Sequence, residues 1–337
     1  MKCVYVLTSS ENDYYYEQFF LSMASMRLYN PDAEVVVLID EKTKEGLAGK
    51  RSGYTQFVTE TKIISVPPEY SQKQASRWIK TSINNYVSGD FLFIDCDTII
   101  TEKLTPVFSQ EINIGAVLDT HVTLEKHHLR DYFKAEVEKA HFQSSFNKNT
   151  YFNSGIIFYR DNSRSREFFE KWHELWIQSN KQGVSVDQPS FNQADCDLRN
   201  IITELSGVWN CQISHNGLNF LNNAKIIHYY ATSLLLLASP YKLASADVLL
   251  SIKETGKISA GITELLRNPL AAFEDNTRIV SGKYILDVFD SPMFKLLVWL
   301  RDCHNNFYKI INGTLRFFVN ILKKNPKYGK RKLRNSK

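Results

Sequence analysis

The sequence predicts an α/β fold: a mostly parallel, Rossmann-like sheet covered on both faces, followed by a mainly helical C-terminal region. Three observations predict it. Short apolar segments alternate with segments of helical periodicity over roughly the first 230 residues; one of them, residues 91–94, is apolar throughout and follows a helix; strand signals fade from about residue 231. A continuous apolar run in that position is the pattern of a central strand buried on both faces.

Taken in order, residues 4–7 form a short apolar strand, and residues 16–29 repeat apolar side chains at spacings of three and four, as a helix does. Residues 34–39 are a second strand ending at Asp40, and residues 62–66 a third, closed by Pro67 and Pro68. A helix over 74–87 stops at Gly89 and leads into the strand 91–94. Residues 114–118 and 155–159 read as strands, 165–178 as a helix, and 225–228 as a short strand ending in His228. No repeat of 20 to 50 residues occurs, which excludes solenoids and propellers. The expected division is a main domain at 1–230, a helical region at 231–322 and a basic tail at 323–337.

With 337 residues, 43% apolar and 23% charged, the chain has enough apolar side chains for a large core, which excludes disordered, collagenous and small disulfide-stapled classes. The longest apolar runs reach five residues, too short to cross a bilayer. The first ten residues hold too few apolar positions for a secretory signal, so the expectation is a protein that is not exported. Five cysteines at wide, irregular spacing, without a C-x-x-C pair, read as reduced thiols of a cytosolic protein. The last fifteen residues carry eight Lys or Arg and no acid, so without them the net charge falls from +5 to −3. The basic character belongs to the tail, and nucleic acid is not the expected partner.

The chemistry concentrates after residue 94, beyond the carboxyl end of the predicted central strand, where such sheets place their ligands. There Asp95, Cys96 and Asp97 set two carboxylates one residue apart. Strand alternation points both the same way, and a hard divalent cation would answer their repulsion and bridge to a ligand's phosphates. Two turn caps are the bland alternative; the position at a strand exit favours metal and phosphate.

The stretch FLFIDCDTII, then YFNSGIIFYRDN, VDQPSFNQAD and IIHYYA, in that order, resembles glycosyltransferase family 8, the glycogenin and bacterial lipopolysaccharide galactosyltransferase group. The likeness spans about residues 1–230. It implies a GT-A fold, a nucleotide-diphosphate sugar as donor (usually a UDP-sugar), Mn²⁺ with Mg²⁺ as an alternative, and transfer with retention of configuration. Residue by residue, it makes Asp95, Asp97 and His228 the metal ligands, with Asp95 also near the donor's ribose or sugar. Lys80 or Arg77 would be the basic contact to the donor from the preceding helix, Asn153 a donor-sugar ligand, and Asp187 and Gln188 the pair beside the anomeric carbon. Asp119 stands loosely where members present a sugar-contacting acid. Carboxamide oxygen is a poor nucleophile, so Gln188 is expected to stabilise positive charge on the sugar while Asp187 orients donor and acceptor. The bland readings are a loop cap for Asn153 and a helix cap for Asp187 or Gln188 before Pro189. The family's lysine after the histidine is missing: the chain runs Tyr229, Tyr230, Ala231, Thr232, Ser233, and Lys242 could substitute only by folding back.

From Phe307, apolar residues at helical spacing (Ile310, Ile311, Leu315, Phe318, Ile321, Leu322) oppose Lys309, Arg316 and Lys323. An amphipathic basic helix before a polybasic tail is expected to bind an anionic membrane surface; a core-packed helix with a solubilising tail is the alternative. The leading expectation is a metal-dependent retaining hexosyltransferase at the inner face of the cell membrane, acting on a glycan or lipid-linked acceptor in surface polysaccharide or lipopolysaccharide synthesis. The alternatives are a nucleotide-sugar-binding protein without turnover and a basic-tailed adaptor.

Overall fold

The computed structural model describes residues 1–142, 148–230, 239–275, 277, 288, 289 and 291–323. They fall into two compact units, Met1–Asp275 and Asn276–Lys337. The basic tail from residue 324 on, and Ala231, Thr232 and Ser233 after the histidine motif, lie outside the described residues.

The strands of the first unit are β1 (Lys2–Leu7), β2 (Glu34–Asp40), β3 (Glu60–Ile64), β4 (Phe91–Ile94), β5 (Thr98–Ile100), β6 (Ile114–Leu118), β7 (Phe152–Tyr159), β8 (Ile202–Glu204), β9 (Cys211–Gln212) and β10 (Ile226–His228). Its helices are α1 (Tyr15–Tyr29), α2 (Glu41–Gly46), α3 (Gln72–Thr81), α4 (Arg130–Lys139), α5 (Ser163–Lys181), α6 (Gln188–Asp197), α7 (Leu218–Leu221), α8 (Ala246–Thr255) and α9 (Ala260–Arg267). Seven strands form one sheet in the order β3-β2-β1-β4-β7-β6-β8, and β5-β10-β9 form a second, smaller one.

Alternation along the strands sends successive side chains into two cores. On β1, Cys3, Tyr5 and Leu7 face α1, the small sheet, α8 and α9. Val4 and Val6 face α3, α5 and α6, where Trp172, Phe168 and Phe191 fill the second core. β4 divides likewise, Leu92 and Ile94 to the first core, Phe91 and Phe93 to the second. The whole of β4 is buried, as its apolar run predicts.

The sheet is mostly parallel, with one reversal at its centre. β1 runs parallel to β2 and to β4, but β4 pairs antiparallel with β7, and so does β6. Strand β7 is buried along its length from Phe152, so Asn153, Ser154 and Gly155 lie within it rather than in a loop leading to it. Strand β3 starts at Glu60, earlier than its apolar residues suggest, because backbone pairing with Val36 and Val37 fixes its ends. The helix expected over 74–87 is α3 plus a 3₁₀ turn at Ile83–Asn85. It begins with a capping box in which Ser71 and Gln74 satisfy each other's backbone N–H groups.

The segment after β1 is locked by a buried ion pair. The Arg51 guanidinium binds both oxygens of the fully buried Glu17, each at 3.1 Å, and donates to the Ser10 carbonyl at 2.8 Å. In the second unit, the helices Pro292–Cys303 and Asn305–Lys323 carry exposed Met293, Phe307, Ile310, Leu315, Phe317 and Phe318. No helix among the described residues is long and apolar enough to cross a membrane.

Replacing Arg51 by Ala should strand the Glu17 carboxylate and cost about 3–5 kcal/mol in urea unfolding at neutral pH, whereas Glu17→Gln with Arg51→Met should recover most of it. Equal stability of Arg51→Ala and wild type would remove the pair from the interactions that hold this segment.

Candidate active site

The chain leaves β4 at Ile94, turns through Asp95, Cys96 and Asp97, and enters the small sheet as β5. Strand β10 pairs antiparallel with β5, with His228 directly opposite Thr98. That register brings a histidine from far along the sequence beside the carboxylate pair. One ligand atom each from Asp95, Asp97 and His228 lies within 4.8 Å of the others, a group able to hold a metal ion. His228 Nε2 is 3.2 Å from Asp97 Oδ1.

Two features of the surroundings fit a bound cation. A Cβ at Gly155 would sit 2.5 Å from His228 Cε1 and 2.9 Å from Asp95 Oδ2, so only glycine leaves room for the cluster. The other ring nitrogen, His228 Nδ1, is 3.0 Å from Asn210 Oδ1, whose own amide nitrogen donates to Asn153. Asn210 Oδ1 is therefore an acceptor and Nδ1 carries a hydrogen, which leaves Nε2 to face Asp97; when the ring is neutral, that nitrogen offers its lone pair there. Lone pairs from an imidazole and two carboxylates converge, a hard-to-borderline donor set suited to a divalent first-row ion. Proton binding shows the same pull. Burial disfavours a charged His228, but Asp97 and then Asp95 outweigh it and its pKa is raised. Burial also raises Asp95, Lys80 lowers it and Asp97 raises it again, with a net shift upward.

Arg77 and Lys80 project from α3 into the same place. Lys80, 2% exposed, spans the site: its Nζ is 3.2 Å from Asp95 Oδ1, 3.1 Å from Asp187 Oδ2 and 3.4 Å from Ser154 Oγ. Arg77 Nε lies 2.8 Å from Asp187 Oδ1, an ion pair without hydrogen-bond alignment. Burial works against the charge of Asp187, but Lys80, Arg77 and the Ser154 hydroxyl together hold its carboxyl well below the usual range. The side chain of Asp187 does not cap α6, although the residue sits at the cap position. Its backbone carbonyl is held instead by Trp172 Nε1 at 3.1 Å and Ser190 Oγ at 2.8 Å, which turns the carboxylate toward the two cations.

Asn153 is buried in a dense network. Its Oδ1 accepts from Gly155 N at 2.9 Å and Asn210 Nδ2 at 2.8 Å. Its Nδ2 reaches Asp119 Oδ1 and the Tyr230 hydroxyl, both at 2.8 Å, and more loosely Gln188 Oε1 at 3.4 Å. Asp119 is buried too. Burial raises its carboxyl, but hydrogen bonds from His127 and Asn153 carry it below the usual range, with His127 Nε2 3.0 Å away. Gln188, half-buried at the start of α6, accepts only that long bond from Asn153.

The sequence-based candidates therefore form one connected set running from His228 and Asp97 through Asp95, Lys80 and Asp187 to Arg77, with Asn153 and Gln188 alongside. Lys242 stands apart, 3.6 Å from Asp275. Sequence reasoning missed Ser154, Asn210, Gln212 and the Tyr230 hydroxyl. Polar residues in and beside strands carry no pattern that separates them from caps and turns; the position of Asn210 just before a buried Cys211 is the one available hint.

The architecture is shared with solved glycosyltransferases. The galactosyltransferase LgtC, solved with donor and acceptor sugar analogs, is similar at 15% identity and TM-score 0.50, over 78% of this chain and 99% of that one. An active-site mutant of LgtC gives 15% identity and TM-score 0.51, over 77% and 98%. Mouse xyloside xylosyltransferase 1, in its apo form, follows at 13% identity and TM-score 0.47, over 68% and 98%. No curated protein sequence matches the chain. The likeness to LgtC is one of fold, and it gives the architectural class, GT-A. The family comes from the sequence itself: the model of glycosyl transferase family 8 matches residues 9–233, more than half of the chain, so the chain belongs to that family and is a glycosyltransferase.

Gly155→Ala should press a methyl group into His228 and Asp95 and lower stability by roughly 1–3 kcal/mol in urea unfolding. A variant as stable as wild type would show that the cradle has slack.

Proposed function

We propose that the protein transfers a hexose from a nucleotide-diphosphate sugar, in particular a UDP-sugar, to a glycan or lipid-linked acceptor, with retention of configuration and with Mn²⁺ as the metal, Mg²⁺ being the alternative. The observation that carries this reading is the convergence of Asp95, Asp97 and His228 at the exit of the central strand. Those three side chains would hold the ion, which when bound supplies positive charge to the diphosphate as it leaves.

The remaining roles fall to the chain's own residues. Lys80 is enclosed between Asp95 and Asp187, so it fixes the two carboxylates relative to each other. Arg77, held by Asp187 and with a side chain about 30% exposed, serves as the cation for the donor's phosphates, while Lys242 stands apart beside Asp275. Asp187, 4% exposed, positions Arg77 and Lys80. Gln188 presents its amide to the sugar, where a carboxamide dipole stabilises developing positive charge. Asn153 acts on the sugar pocket through Gln188 and Asp119, its hydrogen bonds being taken up within the protein.

We also propose that the helix Asn305–Lys323 rests on an anionic membrane surface on the cytoplasmic side. Phe307, Ile310, Leu315, Phe318 and Ile321 are all exposed on it, and Lys309 and Arg316 supply positive charge. Apolar insertion and cationic attraction reinforce each other in such a helix. Surface polysaccharide or lipopolysaccharide synthesis is the setting this arrangement suits.

Screening UDP- and GDP-sugars with Mn²⁺ for release of the nucleotide tests the activity. Asp97→Ala should lower metal-dependent donor hydrolysis by about 100-fold or more, with the fold retained by circular dichroism. A variant keeping most of its rate refutes the metal assignment, and donor binding without nucleotide release in the wild type points to a binding protein. Removing residues 307–337 should free the protein from phosphatidylglycerol vesicles while donor hydrolysis persists; undiminished vesicle binding would end the anchor proposal.

A further inference from the structure

Four side chains close a ring around the edge of the site. His228 Nδ1 donates to Asn210 Oδ1 at 3.0 Å, Asn210 Nδ2 donates to Asn153 Oδ1 at 2.8 Å, and Asn153 Nδ2 donates to the Tyr230 hydroxyl at 2.8 Å. The Tyr230 ring completes the circuit by stacking on the His228 imidazole, with centroids 4.1 Å apart and planes 16° from parallel. The hydroxyl in turn donates to Gln212 Oε1 at 2.7 Å, and Gln212 is anchored by the Thr120 N–H at 2.6 Å and by its own bond to the Leu118 carbonyl at 2.9 Å.

Tyr230 occupies this place at a conformational cost. Its φ is +49°, in the left-handed region that side chains larger than glycine seldom adopt. Departures of this kind persist where the surroundings over-determine them, and they concentrate at functional sites. Here the backbone turn swings the ring back over the imidazole two residues before it, and carries the hydroxyl to the amide of Asn153.

We propose that Tyr230 is a positioning residue that holds the His228 imidazole and the Asn153 amide in register. The inference rests on the reading of Asp95, Asp97 and His228 as the metal site. The stacked ring blocks rotation of His228 about its side-chain bonds, while Asn210 sets its tautomer, so Nε2 stays aimed at Asp97. Asn153 Nδ2 has two hydrogens and three neighbouring acceptors: Asp119, Tyr230 and Gln188. With the hydroxyl present, Asp119 and Tyr230 take the two short bonds and Gln188 keeps only the long one, which leaves its amide available to the sugar. Outer partners of a metal-bound histidine tune its affinity for the ion.

Two variants separate the ring from the hydroxyl. Tyr230→Leu removes the stack; Tyr230→Phe keeps it and removes only the oxygen. In the metal-free protein, the His228 ring protons should be shifted upfield in the NMR spectra of wild type and Tyr230→Phe, and should lose that shift in Tyr230→Leu. Titration with Mn²⁺ alone should show affinity about 10-fold or more weaker for Tyr230→Leu and within about 3-fold of wild type for Tyr230→Phe. For Tyr230→Phe, kcat for hydrolysis of the donor should fall about 10-fold with KM little changed, because Gln188 is drawn onto the freed amide hydrogen. Unaltered His228 resonances and Mn²⁺ affinity in Tyr230→Leu overturn the role at the histidine, and an unaltered kcat in Tyr230→Phe overturns the role at Asn153. Should the wild type bind no Mn²⁺, the metal reading fails, and the metal-free spectra still decide whether Tyr230 holds His228.

Discussion

The site depends on an electrostatic conflict. Two carboxylates and an imidazole are brought together where the large sheet hands the chain to the small one, and the β5–β10 register, His228 opposite Thr98, makes the meeting unavoidable. The two carboxylates repel each other where water is partly excluded. The surroundings hold the three groups in place. Gly155 withholds a side chain, Asn210 fixes the imidazole hydrogen on the far nitrogen, and Thr98 Oγ1 ties down the Asp95 carbonyl at 2.8 Å. A structure that only needed stability would have placed apolar residues there.

Charge is balanced in layers away from that point. Lys80 answers Asp95 on one side and Asp187 on the other, and Arg77 gives Asp187 a second cation. Lys80 and Arg77 outweigh burial at the Asp187 carboxylate and lower its pKa, whereas at Asp95 burial and the neighbouring Asp97 outweigh Lys80, His228 and Arg77 and the shift is upward. The two acids thus differ by environment rather than by chemistry. Cys96, between Asp95 and Asp97, is kept a thiol because burial raises it, and the two carboxylates raise it further, so it adds no charge to the balance.

The strands that could be read from sequence are those whose side chains report their burial. The run at 91–94 announced a central strand, and β4 is one. Direction is another matter: a strand buried on both faces looks the same read either way, so the reversal of β7 left no mark in its apolar residues. The short strands β5, β8 and β9 have two or three residues each, below the length at which alternation can be recognised. Asp95, Asp97, Asp187 and His228 were visible because each lies in one of four stretches whose order along the chain resembles the family. Asn210 and Gln212 were not, since an amide gains its meaning from the partner it meets, and those partners lie far away in sequence. Asp187 shows how local reasoning misleads. Before a proline at the start of a helix it reads as a cap, yet the buried Lys80 and the partly exposed Arg77 offer its carboxylate more than backbone N–H groups do.

The reversal at the centre of the sheet also determines which residues reach the site. In a parallel sheet every strand delivers its exit to the ligand edge. β4 and β6 obey, contributing Asp95 and Asp119 just beyond their carboxyl ends. Strand β7 runs the other way between them, so it meets the same edge with its entry, and Asn153, Ser154 and Gly155 arrive there as the first part of a strand. That is why the backbone of Gly155 can accept from Asp95 N at 2.8 Å while its missing side chain makes room for the cluster. Residues on a paired, fully buried strand have little freedom, whereas loop residues carry the mobility that substrate entry requires. The site is thus divided by topology. Asn153, Ser154 and Gly155 sit on a rigid strand, while Asp95, Asp187 and Tyr230 stand at chain turns whose position depends on the ion pairs and hydrogen bonds that tether them to it.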